Sequence, residues 1–385
     1  MINYGRHFIS AEDIKAVTNV LKSDNLTQGP EIKKFERLFS KKVSSKYAIS
    51  LNSCTSALHL SCLALGIKKG DYVWTTPNSF VASSNCAIYC GAKIDFIDID
   101  LKTYNICINS LEKKLSEAKK LKKLPKALVS VHFAGLLNYQ KKIYNLSKKY
   151  NFSIIEDACH ALGSKNGIQK AGNCKFSDIT VFSFHAIKAI TTGEGGMATT
   201  NNKYLFEKLV MLRSHGITRD PKKLISNKKI PLHYEQQLLG YNYRITDIQA
   251  ALGISQLKKL DTFIKKRNAI ANAYDENLAN LPLILPKKIP NLYSAFHLYV
   301  VRTKNKKIKI ELINYLFKKK IFVSFHYIPI YHHPFYKKMG FKKNYCTNME
   351  KYYDTAISLP IHPKLNKNDH NFICKYLKTF FNARK

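Results

Sequence analysis

The chain is poor in acids: 26 Asp and Glu stand against 63 Lys and Arg in 385 residues, a formal charge of +37. It has no apolar run near the roughly 20 residues that a membrane span requires. Its first residues, MINYGRHFISAEDIKAV, lack the apolar stretch of a secretory signal. These absences argue against a membrane partner and make the cytoplasm the expected compartment. Nine cysteines are scattered without a CxxC pair, and Cys86 and Cys90 have no second pair to complete a zinc site. Neither a disulfide framework nor a metal centre is expected, since cysteines in apolar surroundings behave as small hydrophobes. No glycine-rich loop ends in Gly-Lys-Ser/Thr, which argues against Walker-type nucleotide hydrolysis.

What the chain does have is ordinary globular material, with 45% hydrophobic and 23% charged residues, enough for a sizeable core. The lysines raise the question of a nucleic-acid or membrane partner. Clusters such as KKLKK at 119–123 and KKK at 318–320 are spread between elements, and no RNP, zinc-finger or helix-turn-helix pattern accompanies them. The charge therefore reads as a composition bias that would still gather a small anionic substrate.

Seven short apolar runs have strand length: 47–51, 72–76, 93–99, 127–133, 152–157, 178–184 and 196–200. Helix-like stretches at 56–65, 83–90, 108–121 and 139–150 lie between several of them. Apolar strands separated by helices predict an α/β fold with a mostly parallel seven-stranded sheet, covered on both faces. Ligands of such sheets bind beyond the carboxyl ends of the strands. From about residue 246 a long helical region follows, expected to break or bend near Gly253. A proline-rich connector at 282–291 leads to a smaller α+β set: AFHLYVV, a helix at 308–319, FVSFHYI and a terminal helix at 367–381. The expected division is a large domain of residues 1–255, whose N-terminal segment can pack on the small one, and a small domain of 256–385.

Four segments could carry chemistry. In IIEDACHALGS two carboxylates, Glu156 and Asp157, close an apolar strand, so one faces inward or into a site and the other turns away. Asp157 either caps the following turn or pairs with a protonated ring nitrogen of a cofactor. In NSCTSALHL a Ser/Thr cluster opens a helix; Thr55 and Ser56 are ordinary capping types, but a helix N-terminus also suits a phosphate. Phe80, in TTPNSFVAS, is either core or a face for a flat heteroaromatic ring. In VFSFHAIKAITTGEGG, Lys188 sits between an apolar strand and a glycine-rich turn, a partly desolvated setting in which an amine acts as a nucleophile. Phosphate anchor, carboxylate, aromatic and amine together describe a pyridoxal phosphate site. In HYIPIYHHPFY, His326, His332 and His333 could ligate a metal, but no further ligand has a recognisable spacing, which favours substrate lining or packing.

These residues resemble the DegT/DnrJ/EryC1/StrS sugar aminotransferases, which have the aspartate-aminotransferase-like fold. The resemblance is carried nearly end to end by LTQGPEIKKFE, NSCTSALHL, TTPNSFVASSN, EDACHALGS, FSFHAIKAITTGEGG, LRSHG, LGYNYRITDIQAALGISQLKKL, HYIPIYHHPFY and ISLPIHPKL. Within the family, NSxTSAL, HALGS, FSFHAIKxITTxEGG and HYxPIY are most similar to the UDP-4-amino-4,6-dideoxy-N-acetyl-β-L-altrosamine transaminases of pseudaminic acid synthesis. The resemblance implies that Lys188 bonds the aldehyde of pyridoxal 5'-phosphate and that Asp157 holds its ring nitrogen protonated. It implies that His160 approaches the ring hydroxyl and that Phe80 stacks on the ring. Thr55, Ser56 and Ser183 would bind the phosphate, joined by Asn242 of the neighbouring copy in a homodimer. A UDP-linked 4-keto-6-deoxy sugar would meet Tyr4, Asn25, Thr27, His326 and Tyr327, with L-glutamate as amino donor. Ala189 departs from the proline that many relatives have there. The dehydrases of the family have histidine in place of the lysine, so Lys188 argues against dehydration. Other sugar-nucleotide aminotransferases, of perosamine or UDP-bacillosamine type, are the nearest alternative. A nucleic-acid-binding or regulatory protein on the same fold is a more distant one.

Overall fold

A computed structural model of the chain describes residues 1–226 and 230–384. Its centre is a seven-stranded sheet of β1 (Tyr47–Leu51), β2 (Tyr72–Thr75), β3 (Lys93–Phe96), β4 (Ala127–Val131), β5 (Ser153–Asp157), β6 (Ile179–Ser183) and β7 (Gly196–Thr200). The spatial order is β1-β7-β6-β5-β4-β2-β3. The ladders from β6 through β5, β4 and β2 to β3 are all parallel. β7 runs against both of its neighbours, β1 and β6. Six strands therefore deliver their carboxyl ends to one edge, and β7 returns from that edge.

The strands read as continuous apolar runs because both faces are covered. Helices α2 (Pro30–Val43), α3 (Cys54–Ala64), α4 (Ala82–Tyr89), α5 (Ile108–Lys120), α6 (Gln140–Tyr150) and α7 (Lys203–Arg213) supply the cover together with α8 (Asp247–Leu278), and α1 (Ala11–Leu21) packs on α8. On one face Phe35 and Phe39 of α2 meet Phe182, Met197 and Leu257. On the other, Leu58 and Leu60 of α3 join Cys86 of α4 and Leu209 of α7. Of these helices, α1, α2 and α7 were not anticipated from the sequence.

The expected break near Gly253 does not occur: α8 runs through it for 32 residues. Thr246 starts it with a capping box, its Oγ1 accepting from the Gln249 N–H at 3.2 Å. Gly253 is a contact residue, since a Cβ there would lie 2.6 Å from Cζ of Phe35. The far end of α8 enters a separate core, where Ala271, Tyr274 and Leu278 pack with β8 (Tyr299–Arg302), α9 (Lys306–Lys318), β9 (Ala356–Leu359) and α12 (Lys367–Asn382). Two short helices, α10 (Pro334–Lys338) and α11 (Thr347–Tyr353), lie between α9 and β9. FVSFHYI forms no strand; β8 pairs antiparallel with β9, and Ser324 makes only an isolated bridge to Ser358. Among the described residues no helix is long and apolar enough to cross a membrane.

Candidate active site

The carboxyl ends of the parallel strands and residues of the C-terminal core enclose a cleft of about 530 Å³. β1 leads into α3 through Ser53, whose Oγ accepts the Ser56 N–H at 3.1 Å. The first amides of a helix lack intrahelical partners. With that of Ser56 taken, those of Cys54 and Thr55 remain for a ligand at the positive end of the helix. Ser53 and Thr55 line the cleft; Ser56 does not, because its hydroxyl donates to Asn52 Oδ1 at 2.6 Å.

β5 ends on Asp157, which is buried and accepts twice: from Ser83 Oγ at 2.7 Å and from the Cys159 N–H at 3.1 Å. Ser83 in turn contacts Ser79 Oγ at 2.6 Å. Glu156 points through the opposite face of the sheet, where Gln140 Nε2 and Thr180 Oγ1 donate to it at 2.6 and 2.9 Å. Period two along the strand thus separates a cleft carboxylate from a core carboxylate.

Beyond β6, the turn that holds Lys188 is tightly laced. Ser183 Oγ accepts the His185 N–H at 3.3 Å, the Lys188 N–H donates to His185 O at 2.9 Å, and Phe184 exchanges backbone bonds with Gly195 and Thr192. Ser183 and Lys188 both line the cleft. Phe80 stands at its mouth with 61% of its surface exposed.

Tyr4, His160, His297, His326 and Tyr327 make up much of the remaining wall. The Ala134 N–H donates to His160 Nδ1 at 3.3 Å, which leaves the proton on Nε2, 3.0 Å from the Tyr327 hydroxyl. His297 lies against His160 with ring centres 4.4 Å apart, and its buried Nδ1 has no partner among the described residues. His326 Nδ1 is 2.9 Å from Ser358 Oγ, and its ring is 5.3 Å from that of Tyr4. Burial, and then the Lys188 charge, hold His160 and His297 well below the usual histidine range and bring His326 down to about 3. All three are neutral at pH 7, so the wall offers uncharged hydrogen-bonding groups.

The structure brings Lys188, Asp157, Thr55, Ser183, Phe80, His160, Tyr4, His326 and Tyr327 to one cleft. Asn25, Thr27 and Asn242 are exposed and outside it; Thr27 bridges Thr246, and Asn242 bridges Ser214. Among the remaining histidines of HYIPIYHHPFY, His332 pairs with Glu350 at 2.7 Å away from the cleft. The sequence reading missed Ser53, Ser79, Ser83 and His297. Ser53 and Ser79 were visible as polar residues after strand ends and Ser83 as one in the first turn of α4, whereas His297 was hidden in the apolar string AFHLYVV. A second cavity, of about 330 Å³, has lysines and apolar groups but no carboxylate or histidine in its walls, among the described residues.

A buried carboxylate facing a lysine, free helix amides beside Ser and Thr hydroxyls, and an exposed aromatic make a donor set that fits pyridoxal phosphate. Fold and site together define an aminotransferase that uses this cofactor. The family model of the DegT/DnrJ/EryC1/StrS aminotransferases matches residues 7–378, and the chain belongs to that family. It is 39% identical to the UDP-4-amino-4,6-dideoxy-N-acetyl-β-L-altrosamine transaminase of Campylobacter jejuni (serotype O:2) over 97% of this chain and 96% of that one. It is 31% identical to the GDP-perosamine synthase of Escherichia coli O157:H7 over 93% and 92%. Among solved structures, it is similar to Helicobacter pylori PseC, an aminotransferase involved in the biosynthesis of pseudoaminic acid, with TM-score 0.89, 34% identity and 99% of each chain covered.

Proposed function

We propose that the chain transfers an amino group from L-glutamate to C4 of a UDP-linked 4-keto-6-deoxy-N-acetylhexosamine, in pseudaminic acid synthesis. The observation that carries this reading is the near full-length likeness to the Campylobacter transaminase, with the cleft's donor set in support. When bound, the cofactor supplies an electron-poor ring that accepts the electron pair of the carbon losing its proton. The chain's own residues do the rest. Asp157, fixed by Ser83 and the Cys159 amide, holds a proton on the ring nitrogen. Ser53, Thr55, Ser183 and the free amides at the start of α3 hold the phosphate, and Phe80 covers one face of the ring. Lys188 would hold the cofactor through its aldehyde carbon at rest, and its Nζ, once freed, would carry the proton that leaves the donor's amine-bearing carbon. In the second half-reaction the same nitrogen moves a proton back toward C4 of the sugar, which predicts ping-pong kinetics.

In this reading residues 1–255 form the cofactor domain and 256–385 the small domain, while Tyr4, His326 and Tyr327 contact the sugar. Asn25 and Thr27 are left for the part of the nucleotide that projects from the cleft. Asn242, exposed on its own chain, reaches the phosphate of a second copy, so the active unit is a homodimer. A cytoplasmic enzyme with a charge of +37 meets an anionic nucleotide sugar favourably.

The test pairs purified enzyme and glutamate with two substrates: the 5-inverted 4-keto product of UDP-GlcNAc dehydration, and GDP-4-keto-6-deoxymannose. Mass spectrometry should find the amino sugar only from the first. Amination of the GDP sugar alone would support the perosamine reading, which the Escherichia coli relative favours. Lys188→Ala should abolish turnover and the lysine-dependent visible absorbance; an unaltered spectrum refutes its role.

A further inference from the structure

The floor of the cleft holds a feature that transamination does not use. Cys54 opens α3 directly after Ser53, and Cys159 follows Asp157 by two residues. Although 105 positions apart in sequence, their sulfurs are 2.9 Å from one another, and both residues line the cleft. We propose that Cys54 and Cys159 form a dithiol site that a hydroperoxide oxidises reversibly to a disulfide.

The geometry is already close to that of the product. Two sulfurs in contact must approach by only about 1 Å to reach the bonded distance of about 2.0 Å. The two backbones are held independently, Cys159 through its N–H on Asp157 and Cys54 at the capped start of α3. The hydrogen bond with Cys159 lowers the Cys54 thiol, but burial and the Asp157 charge outweigh it and leave Cys54 above the ordinary thiol range, less so than its partner, which makes it the first nucleophile of the two. Cys159 is held well above the ordinary thiol range by its hydrogen bond to Cys54, by burial and by the Asp157 charge, so it serves as the resolving partner. In the first step the Cys54 sulfur attacks the hydroperoxide's terminal oxygen; the O–O bond breaks, leaving a sulfenic acid and releasing an alcohol or, from hydrogen peroxide, water. In the second, the Cys159 sulfur attacks that of Cys54; the S–S bond forms, the S–O bond breaks and water leaves with the remaining thiol proton. Two electrons pass from the thiols to the hydroperoxide. A dithiol reductant reverses the change by exchange.

The bond would tie the α3 N-terminus to the turn after Asp157, the two segments assigned above to the cofactor's phosphate and ring nitrogen. The chemistry itself does not depend on which sugar the enzyme uses. An internal competitor is the cluster of Cys62, Cys86 and Cys90, in which contact with Cys62 and then His59 brings Cys90 down to about 6 despite partial burial. On acidity alone Cys90 would be oxidised first; on geometry Cys54 and Cys159 capture each other.

The test treats the cofactor-loaded enzyme with hydrogen peroxide, blocks free thiols with N-ethylmaleimide, and maps peptides without reduction. A peptide joining Cys54 to Cys159, lighter by about two mass units than its reduced parts, should rise at least about tenfold and vanish with dithiothreitol. Cys54→Ser and Cys159→Ser should each abolish it. The wild-type map stands alone if a variant fails to fold. Alkylation of both Cys54 and Cys159 under peroxide that has oxidised Cys90 would overturn the proposal. So would cross-links of either residue only to the Cys62 cluster.

Discussion

Glu156→Gln tests whether the acid beside Asp157 serves the fold rather than the reaction. Glu156 is only 2% exposed, yet Gln140 Nε2, Thr180 Oγ1 and Ser177 Oγ donate to it at 2.6, 2.9 and 3.1 Å. His132 Nε2 lies 3.5 Å from Oε1, the oxygen that also accepts from Gln140. Burial would raise its pKa, but His132, Gln140 and Thr180 outweigh burial and hold it below the usual glutamate value. A hydrogen bond to a charged group is worth about 1.5–3 kcal/mol and a neutral one about 1, so neutralising the acceptor of the two shortest bonds should cost about 2 kcal/mol. With a urea slope of about 4 kcal/mol/M for a chain of this size, the midpoint should fall by about 0.5 M at pH 7. The sign of the pH dependence follows from the depressed pKa. The ionised group's stabilisation is fully present above its unfolded pKa, near 4.5, and is lost as pH falls through the lower folded value. The gap between wild type and variant should therefore be constant from pH 7 to about 5.5 and shrink below about 4.5. Urea titrations followed by circular dichroism at pH 7, 5.5 and 4 measure it. Equal midpoints at pH 7, or a gap that widens as pH falls, would refute the assignment.

Gly196→Ala should cost about 3 kcal/mol or more, since a Cβ there would lie 2.4 Å from the Ser53 carbonyl carbon and oxygen, both backbone atoms. Thermal melting measures the loss, and titration with pyridoxal phosphate should show weaker binding, because the displaced segment is the start of α3. Ser83→Ala removes the hydroxyl on Asp157 Oδ2 and should lower kcat about tenfold, as a lost bond of about 1.4 kcal/mol to a charged acceptor implies. Unchanged kcat in a folded variant would show that Asp157 needs no such support.

The sheet was legible because its strands are buried on both faces, and burial on both faces leaves an unbroken apolar run that local pattern can find. The reversed direction of β7 was not legible, since GMATT carries the same apolar signal whichever way it runs. Gly253 shows the opposite failure. Propensity marks glycine as a weak helix residue, but here the absent side chain makes room for Phe35, and the packing gained across α2 and α8 keeps the helix whole.

At the cleft the same contrast holds between local and distant information. Asp157 closes a strand and Lys188 follows one, where topology alone assembles a site, so their residue types sufficed; Ser53, Ser79 and Ser83 are ordinary capping and loop types and did not stand out. The wall of His160, His297, His326 and Tyr327 depends on three separate segments meeting: the turn after β5, the approach to β8, and FVSFHYI, which gives up a ladder to follow the cleft. Had FVSFHYI paired as a strand, its side chains would have alternated between faces, placing the consecutive His326 and Tyr327 on opposite sides. The irregular backbone lets both line one wall, while the apolar residues around them point elsewhere, Val323 into the C-terminal core and Phe325 largely to the surface.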